Sequence, residues 1–293
     1  MEHRLSSGAL EAVVKADGAE LISLKDASGL EYVWQAGPQW PRHAPVLFPI
    51  VGRLRDDSLV HEGQSYPMKQ HGFARDMRFF WIEGGPPNSC RLMLRDNEAT
   101  RAQFPFAFRL EISYALAGDS LRARYDVFNP GEDFLPASIG AHPAFNWPLE
   151  PGRAKDEYAL LFDAEETAPV RRLEAGLMRE APEPCPVEGR VLNLRESLFA
   201  EDAVIFTEIN SRSARYGAPG GRSVEIAWSG FPELGLWSKP GADFLCVEPW
   251  SGYASPANFD GPFYRKPGLS LIPPGAKRSA QMTIRLLPAE ATP

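Results

Sequence analysis

Polar and apolar residues alternate over two neighbouring stretches, Arg109-Leu110-Glu111-Ile112-Ser113-Tyr114 and Ser120-Leu121-Arg122-Ala123-Arg124-Tyr125-Asp126-Val127, with Gly118-Asp119 between them. Strand side chains point alternately to opposite faces, so a period of two predicts a hairpin with one face in a core and a Gly-Asp turn at its tip. Further short β-branched and aromatic runs are punctuated by Gly and Pro, the pattern of a sandwich or barrel. Before the hairpin, which covers Phe108 to Leu116 and Leu121 to Phe128, strands are predicted at Leu10 to Val14, Glu20 to Leu24, Val46 to Ile50, Phe79 to Glu83 and Arg91 to Leu94. After it they are predicted at Tyr158 to Phe162, Ala203 to Phe206, Ser223 to Trp228, Gly235 to Ser238, Phe244 to Val247 and Gln281 to Leu286. The helix prediction is confined to a turn or two at Asp96 to Gln103, with Asp96 or Asn97 as the cap. An all-β fold with very little helix follows.

The chain has 293 residues, which all-β folds of this size accommodate as one unit, and residues 1–293 are read as a single domain. The Pro-rich stretch from Pro148 to Pro186 carries its own strand-like run and reads as an elaborated loop region rather than a linker. A net charge of −7 without a basic run argues against a nucleic-acid partner. No apolar stretch approaches the roughly 20 residues that span a bilayer, and the Met-Glu-His-Arg start lacks a signal peptide's apolar segment. A soluble, cytoplasmic protein without membrane contact is the expectation. Three widely spaced cysteines, Cys90, Cys185 and Cys246, suggest neither a disulfide framework nor a zinc knuckle. Oligomeric state is left open.

Candidate chemistry gathers where apolar runs end. His142 follows Ser138-Ile139-Gly140-Ala141 and precedes Pro143, which forces extended geometry on its neighbour and holds the imidazole at a strand end. An imidazole can give or take a proton near neutrality. Glu248 ends the apolar run Phe244-Leu245-Cys246-Val247, where desolvation favours the protonated carboxyl and makes its anion a better base. Trp250, two residues on, can stack on a ring or simply fill core. His71 lies in Lys69-Gln70-His71-Gly72-Phe73-Ala74-Arg75, and Arg53 follows an apolar strand through Gly52. Each also has a structural reading, as a backbone-bonded turn histidine or a solvated cation. Phosphate-loop, serine-elbow and zinc-protease motifs are missing. Metal ligation by His71, His142 and Glu248 is chemically open, yet no spacing supports it, and no metal is assigned.

Four segments taken together, Phe48-Pro49-Ile50-Val51-Gly52-Arg53, Gln70-His71-Gly72-Phe73-Ala74-Arg75, Gly140-Ala141-His142-Pro143-Ala144-Phe145-Asn146 and Val247-Glu248-Pro249-Trp250-Ser251-Gly252, resemble the aldose 1-epimerase, or galactose mutarotase-like, family in order and spacing. The resemblance runs from about residue 8 to residue 288. It implies a large antiparallel β-sandwich and a cofactor-independent isomerase that interconverts the α and β anomers of a free aldose. It further implies His142 as the acid at the ring oxygen, Glu248 as the base at the anomeric hydroxyl, and His71 stabilising charge at the ring oxygen. Arg53 matches a sugar-binding position and Arg75 belongs to the Phe-Ala-Arg variant of the second motif. Asp202 matches an aspartate that holds sugar hydroxyls, although the pattern around it departs from the galactose mutarotases. Two alternatives stay open: a hexose-6-phosphate 1-epimerase holding phosphate with Lys69, Arg53 and Arg75, and a non-catalytic carbohydrate-binding protein on the same fold.

Overall fold

The computed structural model describes residues 1–289. Strands occupy 44% of the chain and helical turns 7%, and every strand pair is antiparallel within a large β-sandwich of the galactose mutarotase-like type. Nine strands form the larger sheet, with Lys277–Leu287 near its middle between Ser223–Ser229 and Ser120–Phe128. The predicted hairpin is there: Arg109–Ala117 pairs with Ser120–Phe128, alternate residues are buried along both, and Gly118 takes the first corner of the turn at φ +60°. That left-handed φ is one glycine adopts without steric cost.

A smaller sheet of six strands has Phe244–Ser251 at its centre, between Glu233–Trp237 on one side and Ile139–Ala141 with Ala144–Asn146 on the other. All eight residues of Phe244–Ser251 are buried, which explains why this segment reads as a continuous apolar run rather than an alternating one. Its two faces nonetheless differ. Leu245 and Val247 join the main hydrophobic core, which also holds Leu110 and Ile112 of the larger sheet. Phe244, Cys246 and Trp250 belong to separate clusters away from that core. A period of two therefore places Glu248 on the face turned away from the main core.

Departures from the predicted elements have local causes. Val46 to Ile50 is strand only at Val46–Leu47, because Pro49 has no amide hydrogen to continue the ladder. Glu2–Ser6 is a strand that the sequence reading missed, since four of its five residues are exposed and no alternation marks it. Helix is limited among the described residues to Glu98–Arg101 and 3-10 turns, and Asn97 is the cap: its side chain accepts from the Thr100 amide at 3.0 Å while Thr100 Oγ1 accepts from the Asn97 amide at 2.8 Å. The Pro148 to Pro186 region contains the strand Ala159–Phe162 and the small hairpin Leu173–Glu174 with Leu177–Met178, whose Leu173 reaches the cavity described next.

Candidate active site

A cavity of about 270 Å³ opens on the smaller sheet, and His71, Arg75, His142, Asp202, Glu248 and Trp250 all line it. Its two central groups are brought together by strand register. Gly140 pairs with Trp250 and Ala144 with Cys246, so the intervening His142 falls directly opposite Glu248, at a point where Pro143 interrupts the ladder. Residues directly opposite across antiparallel strands have Cβ atoms about 5 Å apart. His142 Nε2 accordingly stands 3.2 Å from Glu248 Oε2.

Both groups are deeply buried, at 6% and 1% exposure, and both keep a side-chain atom unsatisfied: His142 Nδ1 and Glu248 Oε2 have no hydrogen-bond partner. Burial, followed by the charges of Arg75 and Arg42, pushes the His142 imidazole down to about 3. Burial, reinforced by the Asp202 carboxylate, holds Glu248 well above the usual carboxylate range. Each group is thus driven toward its neutral form, a carboxylic acid facing a free imidazole. Moving the one proton across the contact converts this into an imidazolium facing a carboxylate.

Aromatic side chains fix the imidazole. Trp40 stacks on His142 with centroids 5.0 Å apart and planes at 26°, and Trp237 meets it edge-on at 5.9 Å. Trp40 stands on a loop whose backbone is pinned by Trp34 Nε1, which donates to the Trp40 carbonyl at 2.9 Å. On the sheet beneath, Trp250 spreads over a floor cleared by glycines on both flanking strands. A Cβ at Gly235 would lie 2.3 Å from the Trp250 ring, and one at Gly140 would lie 2.7 Å from it.

His71 approaches from another side, its ring 5.6 Å from that of His142. It holds φ +65°, an uncommon value for a residue with a Cβ. Two bonds to one residue fix it there: the His71 amide donates to the Gly52 carbonyl at 2.8 Å, and the Gly52 amide donates to His71 Nδ1 at 3.1 Å. Because Nδ1 accepts, the hydrogen of the neutral ring sits on Nε2, available as a donor. Burial, then the charges of His142, Arg75 and Arg42, keeps this ring neutral by lowering its pKa well below the ordinary value.

The remaining predicted residues separate. Arg75 lines the cavity, donates to the Gln70 carbonyl at 2.7 Å and leaves its buried Nε without a partner. Burial and the nearby Arg42 lower it to about 10. Asp202 stands exposed at the mouth with φ +70°, its carboxylate accepting from the Ala203 amide at 2.7 Å. Arg53 lies outside the lining: its fork closes on Asp57 through two contacts of 2.7 Å, and its third arm reaches the Ala175 carbonyl at 3.0 Å. Lys69 is exposed and also outside the lining. The sequence reading did not select Trp40, Trp237 or Gln70, which also line the cavity. A tryptophan between prolines in a loop, as in Pro38-Gln39-Trp40-Pro41, was the available signal. Among the described residues, the group able to hold a metal ion is His142, Cys246 and Glu248, with Cys246 where the sequence reading had considered His71.

An antiparallel sandwich with a buried imidazole and carboxyl facing one small cavity defines the class of protein. The aldose 1-epimerase family model matches residues 1–284, and the chain belongs to that family. It is 33% identical over 298 residues to the plasmid-encoded protein LacX of Lactococcus lactis subsp. lactis, covering 97% of this chain and 99% of the relative. A galactose mutarotase related enzyme from Lactobacillus acidophilus superposes with a TM-score of 0.91 at 30% identity, covering 99% of both chains. A galactose mutarotase-like protein from Lactobacillus casei does so at 0.90 and 30%, covering 98% of this chain and all of the other. No helix among the described residues is long and apolar enough to cross a membrane.

Proposed function

We propose that the protein is a cofactor-independent aldose 1-epimerase that interconverts the α and β anomers of a free aldohexose. The observation that carries this reading is the His142–Glu248 contact of 3.2 Å, with unsatisfied polar atoms on both partners, at the wall of a 270 Å³ cavity. Ring opening removes the proton on O1 and adds one to O5, and these oxygens are bonded to the same carbon. An acid and a base standing side by side therefore serve both. Glu248, as carboxylate, takes the O1 proton; His142, as imidazolium, protonates O5 as the C1–O5 bond breaks and the aldehyde forms. Rotation about C1–C2 presents the other carbonyl face, and the same transfers run backwards on closure. Protons balance over the cycle. The His71 Nε2 hydrogen stabilises charge on the ring oxygen, while Arg75, Gln70 and Asp202 offer donors and acceptors to the hydroxyls.

The cavity lies at the small end of ligand sites, which run from about 300 to 1,000 Å³, and so suits a monosaccharide better than a longer glycan. A phosphorylated substrate is disfavoured by the cations. Of Lys69, Arg53 and Arg75, Arg75 alone lines the cavity, and the Asp202 carboxylate at the mouth opposes a second anion. A purely binding protein has no use for a buried carboxyl oxygen left without a hydrogen bond, which costs about 1–3 kcal/mol. Magnetisation-exchange NMR on glucose, galactose and glucose 6-phosphate tests the reading. Catalysed exchange of a free aldohexose is the expected result, and exchange that requires the phosphate would reverse it.

A further inference from the structure

Behind the acid–base pair lies a third group with metal affinity. Cys246 is on the same strand and the same face as Glu248, two residues earlier, and is itself completely buried. Ligand atoms of His142, Cys246 and Glu248 all lie within 4.8 Å of one another. A carboxylate oxygen of Glu248 belongs to this cluster; Oε2 of that residue, which is only 1% exposed, has no hydrogen-bond partner, and His142 and Glu248 both face the cavity through which an ion would enter.

We propose that His142, Cys246 and Glu248 form an inhibitory site for one thiophilic divalent cation of the zinc or cadmium type, which excludes sugar by occupying both members of the acid–base pair. The inhibitory part rests on the epimerase reading; the metal site does not. One nitrogen, one sulfur and one carboxylate oxygen, with a water from the cavity as fourth ligand, form a tetrahedral zinc set and a poor one for calcium or magnesium. His142 Nε2 and Glu248 Oε2, at 3.2 Å, already stand about as far apart as two tetrahedral ligands on bonds of about 2.0–2.3 Å, so binding asks at most a modest rotation to bring in Cys246 Sγ, which lies within 4.8 Å. Binding forms metal–nitrogen, metal–sulfur and metal–oxygen bonds and releases the thiol and carboxyl protons to solvent, with no change of oxidation state. Thiolate and carboxylate together cancel the ion's two charges, leaving a neutral complex suited to a buried position.

Cobalt(II) serves as a spectroscopic probe of the metal-free, untagged protein. The expected result is stoichiometric binding with tetrahedral visible bands and a thiolate-to-cobalt charge-transfer band, the latter abolished in Cys246→Ser and Cys246→Ala variants whose circular dichroism and melting remain native. Saturating zinc should slow anomer exchange at least tenfold, reversibly on adding chelator. Relative to its own metal-free rate, Cys246→Ser should need at least ten times more zinc for the same inhibition. A folded protein without the charge-transfer band, or a Cys246→Ser variant with unchanged cobalt spectrum or zinc sensitivity, overturns the site. Cobalt binding through Cys246 in a protein that catalyses no exchange would sustain the metal site and remove the epimerase reading; catalysed exchange in a protein without the charge-transfer band would do the reverse.

Discussion

Glu20, Glu166 and Glu248 are buried to the same degree, at 2%, 2% and 1% exposure, yet their surroundings are opposite. Glu20 accepts from the His43 and Ala44 amides at 2.7 and 3.0 Å and pairs with Lys15 at 2.5 Å. Glu166 accepts from the Asn210 and Ser211 amides at 3.0 and 2.7 Å. Both carboxylates bind loops to the sandwich, and each has its oxygens occupied. Glu248 has one oxygen against an imidazole, without hydrogen-bond alignment, and its surroundings open into a cavity. Burial alone does not make a carboxylate a candidate for chemistry; burial with unfilled bonding capacity beside a cavity does.

The sharpest way to break this contrast is Glu248→Gln. Removal of the proposed base should slow anomer exchange about 10³-fold, within the range that a positioned acid or base contributes. Thermal stability should hold or rise, because a buried carboxyl with one oxygen outside the hydrogen-bond network is replaced by an amide. Exchange within tenfold of the parent, measured by the same NMR experiment, would place Glu248 with the structural pair.

Glu166→Ala should give the mirror image. Two amides lose their acceptor at about 1–3 kcal/mol each, so urea unfolding should show a loss of roughly 3 kcal/mol while exchange per folded molecule stays within twofold. A large loss of exchange without destabilisation would deny the distinction from the other side.

Much of this architecture was legible in the chain. The hairpin at Arg109–Ala117 and Ser120–Phe128 was visible because one of its faces meets water and the alternation survives. The strand Phe244–Ser251 was visible as an apolar run, and a carboxylate at its end stood out against that background. That His142 faces Glu248 was not readable from spacing, since register between strands about a hundred residues apart is a tertiary property and only the family resemblance linked them. Glu20 and Glu166 passed unremarked because the amides that satisfy them come from distant loops. Trp40 and Trp237 were missed for a related reason: an aromatic on a loop or strand end shows its role only when the ring it packs on is known.

Lys266 extends the comparison to a cation. It is 3% exposed, donates to the Pro267 carbonyl at 3.1 Å and to the Tyr253 carbonyl at 2.5 Å, and is pushed down to about 7 by burial, with Glu233 opposing. A lysine of the unfolded chain keeps its proton to about 10.4. From pH 7 upward to that value the unfolded chain therefore binds more protons than the folded one, and stability rises with pH. Relative to Lys266→Met, the parent should gain roughly 2 kcal/mol between pH 7 and pH 9, read from urea unfolding at the two values. Parallel curves would mean that the ammonium stays charged on its two carbonyls.

Arg53 gives the smallest effect and the finest test of how far family resemblance carries over. It occupies a position that the resemblance assigns to sugar binding, but its guanidinium is committed to Asp57 and the Ala175 carbonyl, while the adjacent Gly52 faces the cavity. Through Ala175 it steadies the small hairpin that carries Leu173 into the cavity wall. Arg53→Ala should consequently raise KM less than threefold and leave kcat unchanged, whereas Arg75→Ala, which strips a donor from the cavity itself, should raise KM about tenfold, the worth of one hydrogen bond to a charged group. If the two arginines exchanged ranks in a KM series with galactose and glucose, the Asp57 fork would have to open when sugar binds, and Arg53 would join the groups that hold it.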